Sequence, residues 1–96
     1  MVQAPADQHL DRKVQVLKAI AHPLRLRIIA VLARGDTHVN ALAEALDVSQ
    51  STVSQQLRIL RMSTLVEVHR QDGFSIYSLA EPHLVDLLSC MDRCCA

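Results

Sequence analysis

Aromatic side chains are scarce in this sequence, which contains one Phe, one Tyr and no Trp among its 96 residues. Half of the residues are nevertheless hydrophobic, and the core must therefore be built from aliphatic side chains. A domain of this size buries proportionally little of its own surface. The abundance of Leu, Val, Ile and Ala thus predicts that part of the aliphatic surface is covered by a partner chain.

Net charge is also lacking, because ten basic residues balance ten acidic residues. This balance argues against a general affinity for nucleic acid, so the positions of the charges become decisive. The segment from Ser49 to Arg70 contains three arginines and one histidine but a single acid, Glu67. This segment is therefore predicted to form a locally basic surface.

Signals for export and membrane insertion are absent as well. The sequence has no run of eighteen apolar residues, and its start, MVQAPADQHLDRK, has no basic segment followed by an apolar one. These absences predict a cytoplasmic protein, in which thiols stay reduced. The length fits one domain over residues 1–96, with a frayed tail at residues 1–6.

The most informative stretch is ALAEALDVSQSTVSQQLRILRM, from Ala41 to Met62. Its apolar residues recur at helical spacing, stop at Asp47-Val48-Ser49 and then resume, which predicts two helices joined by a turn. Ser49 is suited to cap the second helix through its hydroxyl. The apolar positions are Leu42, Ala45 and Leu46 in the first helix and Val53, Leu57 and Leu60 in the second.

The second of these helices begins with polar, uncharged side chains. They are Gln50, Ser51, Thr52, Ser54 and Gln55. Such side chains can both donate and accept hydrogen bonds, and the base edges in a DNA major groove offer partners for both. The helix is therefore a candidate for reading DNA, with a solvated helix face as the alternative interpretation.

This stretch, preceded by AIAHPLRLRIIAVL and followed by LVEVHRQDGFSIYSL, resembles the helix-turn-helix and wing of the ArsR/SmtB family of bacterial metal- and stress-sensing repressors, over about residues 14 to 90. The resemblance implies a mainly α, winged helix-turn-helix fold with five helices and a two-stranded hairpin. It also implies a homodimer, joined through its first and last helices, that binds double-stranded operator DNA.

Before this stretch, helices are predicted over residues 7–21 and 23–34, separated at His22-Pro23 because the residue before a proline avoids the helical region. The helix at Val39 to Leu46 is predicted to have Thr37 as its cap. In the resembling family an arginine at the position of Arg25 is structural or contacts phosphate, and we favour the structural role.

A β-hairpin is predicted after the reading helix. Extended runs at residues 65–70 and 74–79 flank Gln71-Asp72-Gly73, and Asp-Gly is suited to a type I′ turn. A two-residue loop at Asp72-Gly73 would place Val68 opposite Tyr77 and Val66 opposite Leu79. Arg70, near the tip, could reach phosphate or a minor groove, or could serve as a solubilising charge.

The last segment, residues 82–96, places its apolar residues on one helical face. In the resembling family, a helix after the wing joins the first helix in forming the dimer. The predicted dimer interface consists of Leu10, Val14, Leu17, Leu84, Leu87, Leu88 and Met91.

Three cysteines, Cys90, Cys94 and Cys95, lie within six residues at the end of this segment. Together they can bind one large thiophilic ion when the helix end loosens. Some atypical repressors of the resembling family carry adjacent cysteines here, with As(III) or Sb(III) as inducer. Many other members carry Cys-Val-Cys where this chain has His38-Val39-Asn40, and they bind metal through that cysteine pair. Because this chain has no thiol there, we do not predict a metal site at these positions.

Three other interpretations of the cysteines are open. Cys90 or Cys94 could pair with another thiol in a redox or persulfide switch. The zinc sensors of the resembling family imply Glu81, His83 and Cys94 as ligands for Zn(II) or Cd(II) between subunits. The fourth ligand of that site is expected beyond Ala96. The thiols could also pack as small apolar side chains in a dimer seam.

These expectations combine into one mechanism. Ligand bound at the cysteines would reshape the final helix, alter the spacing of the two reading helices and release the operator, with a coupling energy of about 1–3 kcal/mol. The base edges would be read by Gln50, Ser51, Ser54 and Gln55, and the phosphates would be held by Thr52, Arg58 and Arg70.

Two other classes of function are to be compared with DNA regulation, a protein-interaction module and an enzyme. Net neutrality slightly favours a winged helix that serves as a protein-interaction module. Catalysis is not expected, because no Cys-x-x-Cys follows a predicted strand and no His-Asp set accompanies the thiols.

Overall fold

Helices dominate residues 2–96, the part of the chain that the computed structural model describes. In these residues the five helices are α1 (Leu10–Ile20), α2 (Pro23–Leu32), α3 (Val39–Leu46), α4 (Gln50–Met62) and α5 (Leu84–Cys94). The strands β1 (Val66–Gln71) and β2 (Phe74–Leu79) form one antiparallel sheet. This architecture confirms the mainly α, winged helix-turn-helix fold.

The amino-terminal residues precede this fold without joining it. Residues 2–7 form neither helix nor strand. Met1, which belongs to the predicted tail, lies outside the described residues. Within residues 2–96, none of the helices has the length and apolar character needed to cross a membrane.

The start of α1 differs from the prediction, because the helix begins at Leu10 and not at Asp7. His9, the preceding residue, has a left-handed backbone with φ 64° and makes no side-chain cap bond. A left-handed residue cannot continue a right-handed helix. Asp7 lies before this interruption, and its carboxylate accepts a hydrogen bond from Lys13 Nζ.

Histidines cap the next two helices. His22 Nδ1 accepts a hydrogen bond from the Leu24 N–H at 3.2 Å, at the start of α2. His38 Nδ1 accepts one from the Ala41 N–H at 3.2 Å, at the start of α3. Each imidazole thus satisfies one of the backbone donors that a helix start leaves without a partner.

The prediction that Thr37 caps α3 is wrong. Thr37 instead forms an isolated antiparallel bridge with Tyr77, in which the Thr37 N–H donates to the Tyr77 carbonyl at 3.1 Å. The Tyr77 N–H returns a bond to the Thr37 carbonyl at 2.7 Å. This bridge ties the loop before α3 to the wing and leaves the capping position to His38.

The core is aliphatic, as the scarcity of aromatic residues predicted. Within residues 2–96 no polar or charged side chain is buried. On α3, Ala43 and not the predicted Ala45 lies on the buried side with Leu42 and Leu46. The fully buried side chains are Ile28, Ile29, Leu42, Val53, Leu57, Leu60 and Leu65.

The hairpin has the predicted register, with Val68 opposite Tyr77 and Val66 opposite Leu79. The turn residues Asp72 and Gly73 have φ values of 50° and 83°. Positive φ at both positions is the requirement of a type I′ turn. Val66 is buried, and Tyr77 and Leu79 pack against the core. The hairpin is therefore a wing anchored at its base and exposed at its tip.

Ser49→Ala should lower the free energy of unfolding by about 1 kcal/mol, because the Thr52 N–H loses its acceptor at the start of α4. Urea unfolding at one fixed protomer concentration measures the change, since association would make stability concentration-dependent. Ser54→Ala is the matched control in the same helix. It should leave stability unchanged or raise it slightly, because Ala is the better helix former. Equal losses in the two variants would contradict the capping role.

Candidate nucleic-acid interface and thiol cluster

The first turn of α4 presents a cluster of hydroxyl groups. Ser49 Oγ accepts a hydrogen bond from the Thr52 N–H at 3.1 Å, which confirms the predicted cap. The same oxygen lies 2.7 Å from Thr52 Oγ1 and 3.2 Å from Ser51 Oγ. The Thr52 side chain is half-buried in this arrangement, whereas Ser51 stays exposed. The cap thereby orients two of the side chains predicted to contact DNA.

The other predicted base-reading side chains of α4 are exposed; they are Gln50, Ser54 and Gln55. Val53, Leu57 and Leu60 of the same helix are 0% exposed. At about 100° per residue, Gln55 lies on the side opposite them, Ser54 lies on the flank, and Gln50 is exposed as the first residue of the helix. The helix is thus fixed in rotation by its apolar side. An exposed row of amides and hydroxyls at a helix start can donate to and accept from base edges.

Arg58 is exposed on the second half of α4. Together with Arg61 and Glu67 it lines an open cleft of about 480 Å³ between α4 and β1. Arg70 is exposed on the wing, where its Nη1 donates to Ser75 Oγ on the opposite strand at 3.4 Å. The two arginines among the three predicted phosphate contacts are therefore accessible to a polyanion.

Arg25 has the structural role that we favoured. Its Nε donates to the Ala19 carbonyl at 2.5 Å, and its Nη2 lies 3.5 Å from the Lys18 carbonyl, both at the end of α1. Its Nη1 donates to Gln56 Oε1 on α4 at 3.0 Å. The half-buried guanidinium thus fastens α1 to the candidate reading helix.

Arg12 makes a second connection between these helices, which sequence reasoning missed. Its Nη1 donates to the Ser63 carbonyl at 2.8 Å, and its Nη2 donates to Thr64 Oγ1 at 2.7 Å. Both acceptors lie immediately after α4. The partners are more than fifty residues apart in sequence, and no local pattern in the sequence marks such a contact.

The predicted dimer-forming residues differ in exposure. Leu10, Val14 and Leu17 of α1 are 52%, 39% and 55% exposed. On α5, Leu87, Leu88 and Met91 are half-buried. Leu84, in contrast, belongs to the core of the single chain at 3% exposure, so it adds little to any outer surface.

The thiols of Cys90, Cys94 and Cys95 are all exposed and form no disulfide. Cys90 and Cys94 lie on α5, and Cys95 is the residue that follows the helix. The Cys95 N–H still donates to the Met91 carbonyl at 2.9 Å, which holds the last turn closed. Across residues 2–96, no three His, Cys, Asp or Glu side chains are grouped so that they could hold a metal ion.

The alternative ligands Glu81 and His83 contact each other. Glu81 Oε1 lies 2.6 Å from His83 Nδ1 and accepts a hydrogen bond from the His83 N–H at 3.0 Å. These two bonds lower the pKa of Glu81, and the charge of Arg12 lowers it further. The same carboxylate raises the pKa of His83 through the side-chain hydrogen bond and its charge.

Cys94, the third member of this alternative set, lies at the far end of α5 from His83. At ~1.5 Å per residue, the two residues are separated by roughly 16 Å along the helix axis. Metal bonds to sulfur and nitrogen are only about 2.0–2.3 Å long. Glu81, His83 and Cys94 can therefore bind one metal ion only if Cys94 comes from a second chain, as the resemblance implies.

The fold and this exposed polar helix define a winged helix-turn-helix regulator. A model of the bacterial regulatory proteins of the arsR family matches residues 22–68. The transcriptional repressor SmtB homolog of Synechocystis sp. is 43% identical over 86 residues, which cover 86% of this chain and 65% of that protein. The HTH-type transcriptional regulator NmtR of Mycobacterium tuberculosis is 42% identical over 88% of this chain and 72% of its own length.

A solved structure supports the same family. The homodimeric winged helix-turn-helix DNA-binding domain of a possible ArsR-family transcriptional regulator from Mycobacterium bovis has a TM-score of 0.81 and 29% identity, and the match covers 97% of this chain and 90% of that one. The protein therefore belongs to the arsR family of bacterial regulatory proteins. That family consists of transcriptional regulators and not of enzymes.

Glu81→Gln should lower the pH at which His83 titrates, because the carboxylate that favours the imidazolium is removed. Because folding raises the pKa of His83, protonated His83 stabilises the fold. This stabilisation is complete below pH 6.5, the ordinary pKa of histidine, and is lost as the pH rises through the raised pKa. Because folding lowers the pKa of Glu81, ionised Glu81 also stabilises the fold. This stabilisation is present above pH 4.5, the ordinary pKa of glutamate, and is lost as the pH falls through the lowered pKa.

An NMR titration of the His83 ring measures this change. Asp86→Asn is the matched control, because Asp86 raises the pKa of His83 only through its charge and less than Glu81 does. A midpoint that moves equally in the two variants would show that the hydrogen bond to Glu81 is unimportant.

Proposed function

We propose that this protein is a ligand-responsive repressor that binds palindromic, double-stranded operator DNA as a cytoplasmic homodimer. A thiophilic ion such as As(III) or Sb(III), bound at the carboxy-terminal cysteines, releases it. The observation that carries the proposal is the start of α4, where amides and hydroxyls are exposed on a helix that three fully buried aliphatic side chains fix to the core. One domain, formed by residues 1–96, both dimerises and binds DNA.

In this proposal the first turns of α4 enter the major groove. The base edges are read by Gln50, Ser51, Ser54 and Gln55, and the phosphates are contacted by Thr52, Arg58 and Arg70. Exposure of Arg58 and Arg70 supports the second group. The Thr52 hydroxyl lies 2.7 Å from Ser49 Oγ. When Ser49 is the donor in this contact, Thr52 keeps its own proton to donate to a phosphate oxygen.

The dimer is proposed to form through α1 and α5. Support comes from the large exposed apolar side chains of α1, which water would otherwise contact, and from Val85 of α5, which is 41% exposed. The related Mycobacterium bovis domain is homodimeric. A two-fold dimer places two reading helices in successive major grooves, with half-sites about 34–36 Å apart, and so requires an imperfect palindrome.

The thiol site is proposed to form when the end of α5 opens. Cys90 and Cys94 are one helical turn apart, and release of the Cys95 N–H from the Met91 carbonyl frees the adjacent pair. Loss of one such backbone bond costs about 1 kcal/mol net. Coordination of a soft ion by thiolates is far stronger, since structural zinc sites contribute about 10–16 kcal/mol. Ion binding is thus strong enough to reshape the helix end.

Two other inducers remain candidates for the same fold. Exposure of all three thiols also suits a redox or persulfide switch. The contact between Glu81 and His83 brings together two ligands of the alternative Zn(II) or Cd(II) site, to which Cys94 of a second chain would add a third. Outside DNA regulation, a winged-helix protein-interaction module is the alternative class, and it requires that no upstream sequence is bound specifically.

Gln55→Ala should weaken binding to the operator by about 1–3 kcal/mol while leaving non-specific binding unchanged, because a base contact is lost. Arg58→Gln should weaken binding to every sequence and reduce the slope of log affinity against log salt by about 1. Gel shifts on DNA from upstream of the protein's own gene, run at several salt concentrations, measure both effects.

Gln8→Ala is the matched control for the glutamine, because Gln8 is an exposed residue before α1. An equal loss of specific and non-specific binding in Gln55→Ala would contradict base reading. Absence of any salt-dependent, sequence-specific shift with the wild type would instead favour the protein-interaction module.

Replacement of Cys90, Cys94 and Cys95 together by Ser should preserve operator affinity and abolish release by As(III) and Sb(III), because the thiolates are the ligands of the soft ion. Operator affinity is measured under reducing conditions with As(III), Sb(III), Zn(II), Cd(II) and a persulfide donor. Glu81→Gln is the matched control, which should still respond to As(III) but not to Zn(II) if the alternative site exists. Equal release of the triple variant by As(III) would eliminate the thiolate site.

A further inference from the structure

Arg12 occupies the junction at which the reading helix ends. Its guanidinium bonds to the Ser63 carbonyl and to Thr64 Oγ1 at the same time. Ser63 caps α4, and Thr64 has a left-handed backbone with φ 58°. Carbonyls at a helix end lack helical partners and carry the negative end of the helix dipole, which a cation stabilises. One side chain of α1 therefore holds both residues that terminate α4.

The position of Arg12 on α1 links the exposed apolar side of this helix to the end of α4. At about 100° per residue, Arg12 lies on the opposite side of the helix from Leu10, Val14 and Leu17. Those three side chains are exposed. A displacement of their side of the helix is therefore transmitted through a rigid α1 to Arg12 and then to the end of α4.

Arg25 provides a second point of attachment between α1 and α4. It joins the end of α1 to Gln56, near the middle of α4, whereas Arg12 joins the start of α1 to the end of α4. One point of attachment would allow the helices to pivot, but two points fix their relative direction. The core beneath them is aliphatic, and burial of apolar surface has no directional preference, so these hydrogen bonds add contacts that depend on the direction of the helices.

We infer that Arg12 is a positioning residue that fixes the direction of the reading helix relative to the dimer helix, and thereby the operator half-site spacing that the protein accepts. This inference rests on the proposed binding of operator DNA by a homodimer. It predicts that loss of the Arg12 bonds widens the range of accepted spacings, because each reading helix can then pivot about the Arg25 attachment.

The test compares operators in which the two half-sites are kept and the spacer is lengthened or shortened by single base pairs. For the wild type one spacing should be preferred. In Arg12→Gln the ratio of affinities for the preferred and altered spacings should fall by about tenfold, which lies within the range typical of coupling between sites. Binding to a single half-site should remain unchanged.

Arg12→Lys and Lys13→Gln are the controls. An ammonium can bond to the Ser63 carbonyl but cannot reproduce the planar fork that also reaches Thr64, so Arg12→Lys should restore part of the spacing preference. Lys13 is the adjacent cation and pairs with Asp7 in the structure, so Lys13→Gln should keep the full preference. A purely structural role for Arg12 would lower affinity equally at all spacings.

Thr64→Gly keeps the test decisive if Arg12→Gln fails to fold. Glycine accepts the left-handed backbone of this position without strain, while it removes the hydroxyl that Arg12 contacts. Thr64→Gly should therefore fold and show a weakened spacing preference. Thr64→Ser keeps the hydroxyl and should retain the full preference. Retention of the full preference in Arg12→Gln, or in Thr64→Gly if Arg12→Gln does not fold, would overturn the inference. A wild type without any preferred spacing would instead contradict the proposed dimeric operator binding.

Discussion

Burial of one side of α4 is the constraint on which the candidate interface depends. Val53, Leu57 and Leu60 are 0% exposed, and full burial of an aliphatic side chain contributes about 1.5–3 kcal/mol. No surface contact of the polar residues in the same helix has a comparable energy. The core therefore determines the rotation of α4, and the exposed side is the one that carries amides and hydroxyls. The proposed reading of DNA and the packing of the core use different residues of the same thirteen-residue helix.

Polar side chains are used at the margins of the core and not inside it. In the described part of the chain, none is buried. Histidines cap two helices, and two arginines attach α1 to α4 through carbonyls, a hydroxyl and an amide. Such bonds contribute less energy than the core but depend on direction. An aliphatic core supports the helices, and these bonds orient them.

His38 illustrates how a position within the family can serve a different purpose. Where many members of the resembling family have the first cysteine of Cys-Val-Cys, this chain has an imidazole that caps α3 and stacks on Phe74 of the wing, with ring centroids 5.4 Å apart. The site is thus used to join α3 to the hairpin. The exposed cysteines of this chain lie instead in α5 and immediately after it.

The sequence by itself determined the features that depend on local periodicity and turn chemistry. Apolar spacing predicted α4, the Ser49 hydroxyl was placed correctly as its cap, and Asp72-Gly73 set the register of the wing, because each depends on residues only a few positions apart. Only the tertiary structure decided which groups meet across the chain. It started α1 at Leu10, gave the cap of α3 to His38, and placed Leu84 in the core. It also joined Arg12 to the end of α4, across a separation of 51 residues to Ser63. Contacts of this kind depend on how helices pack, and a pattern with a period of 3.6 residues shows which side of a helix is apolar but not which partner it will meet.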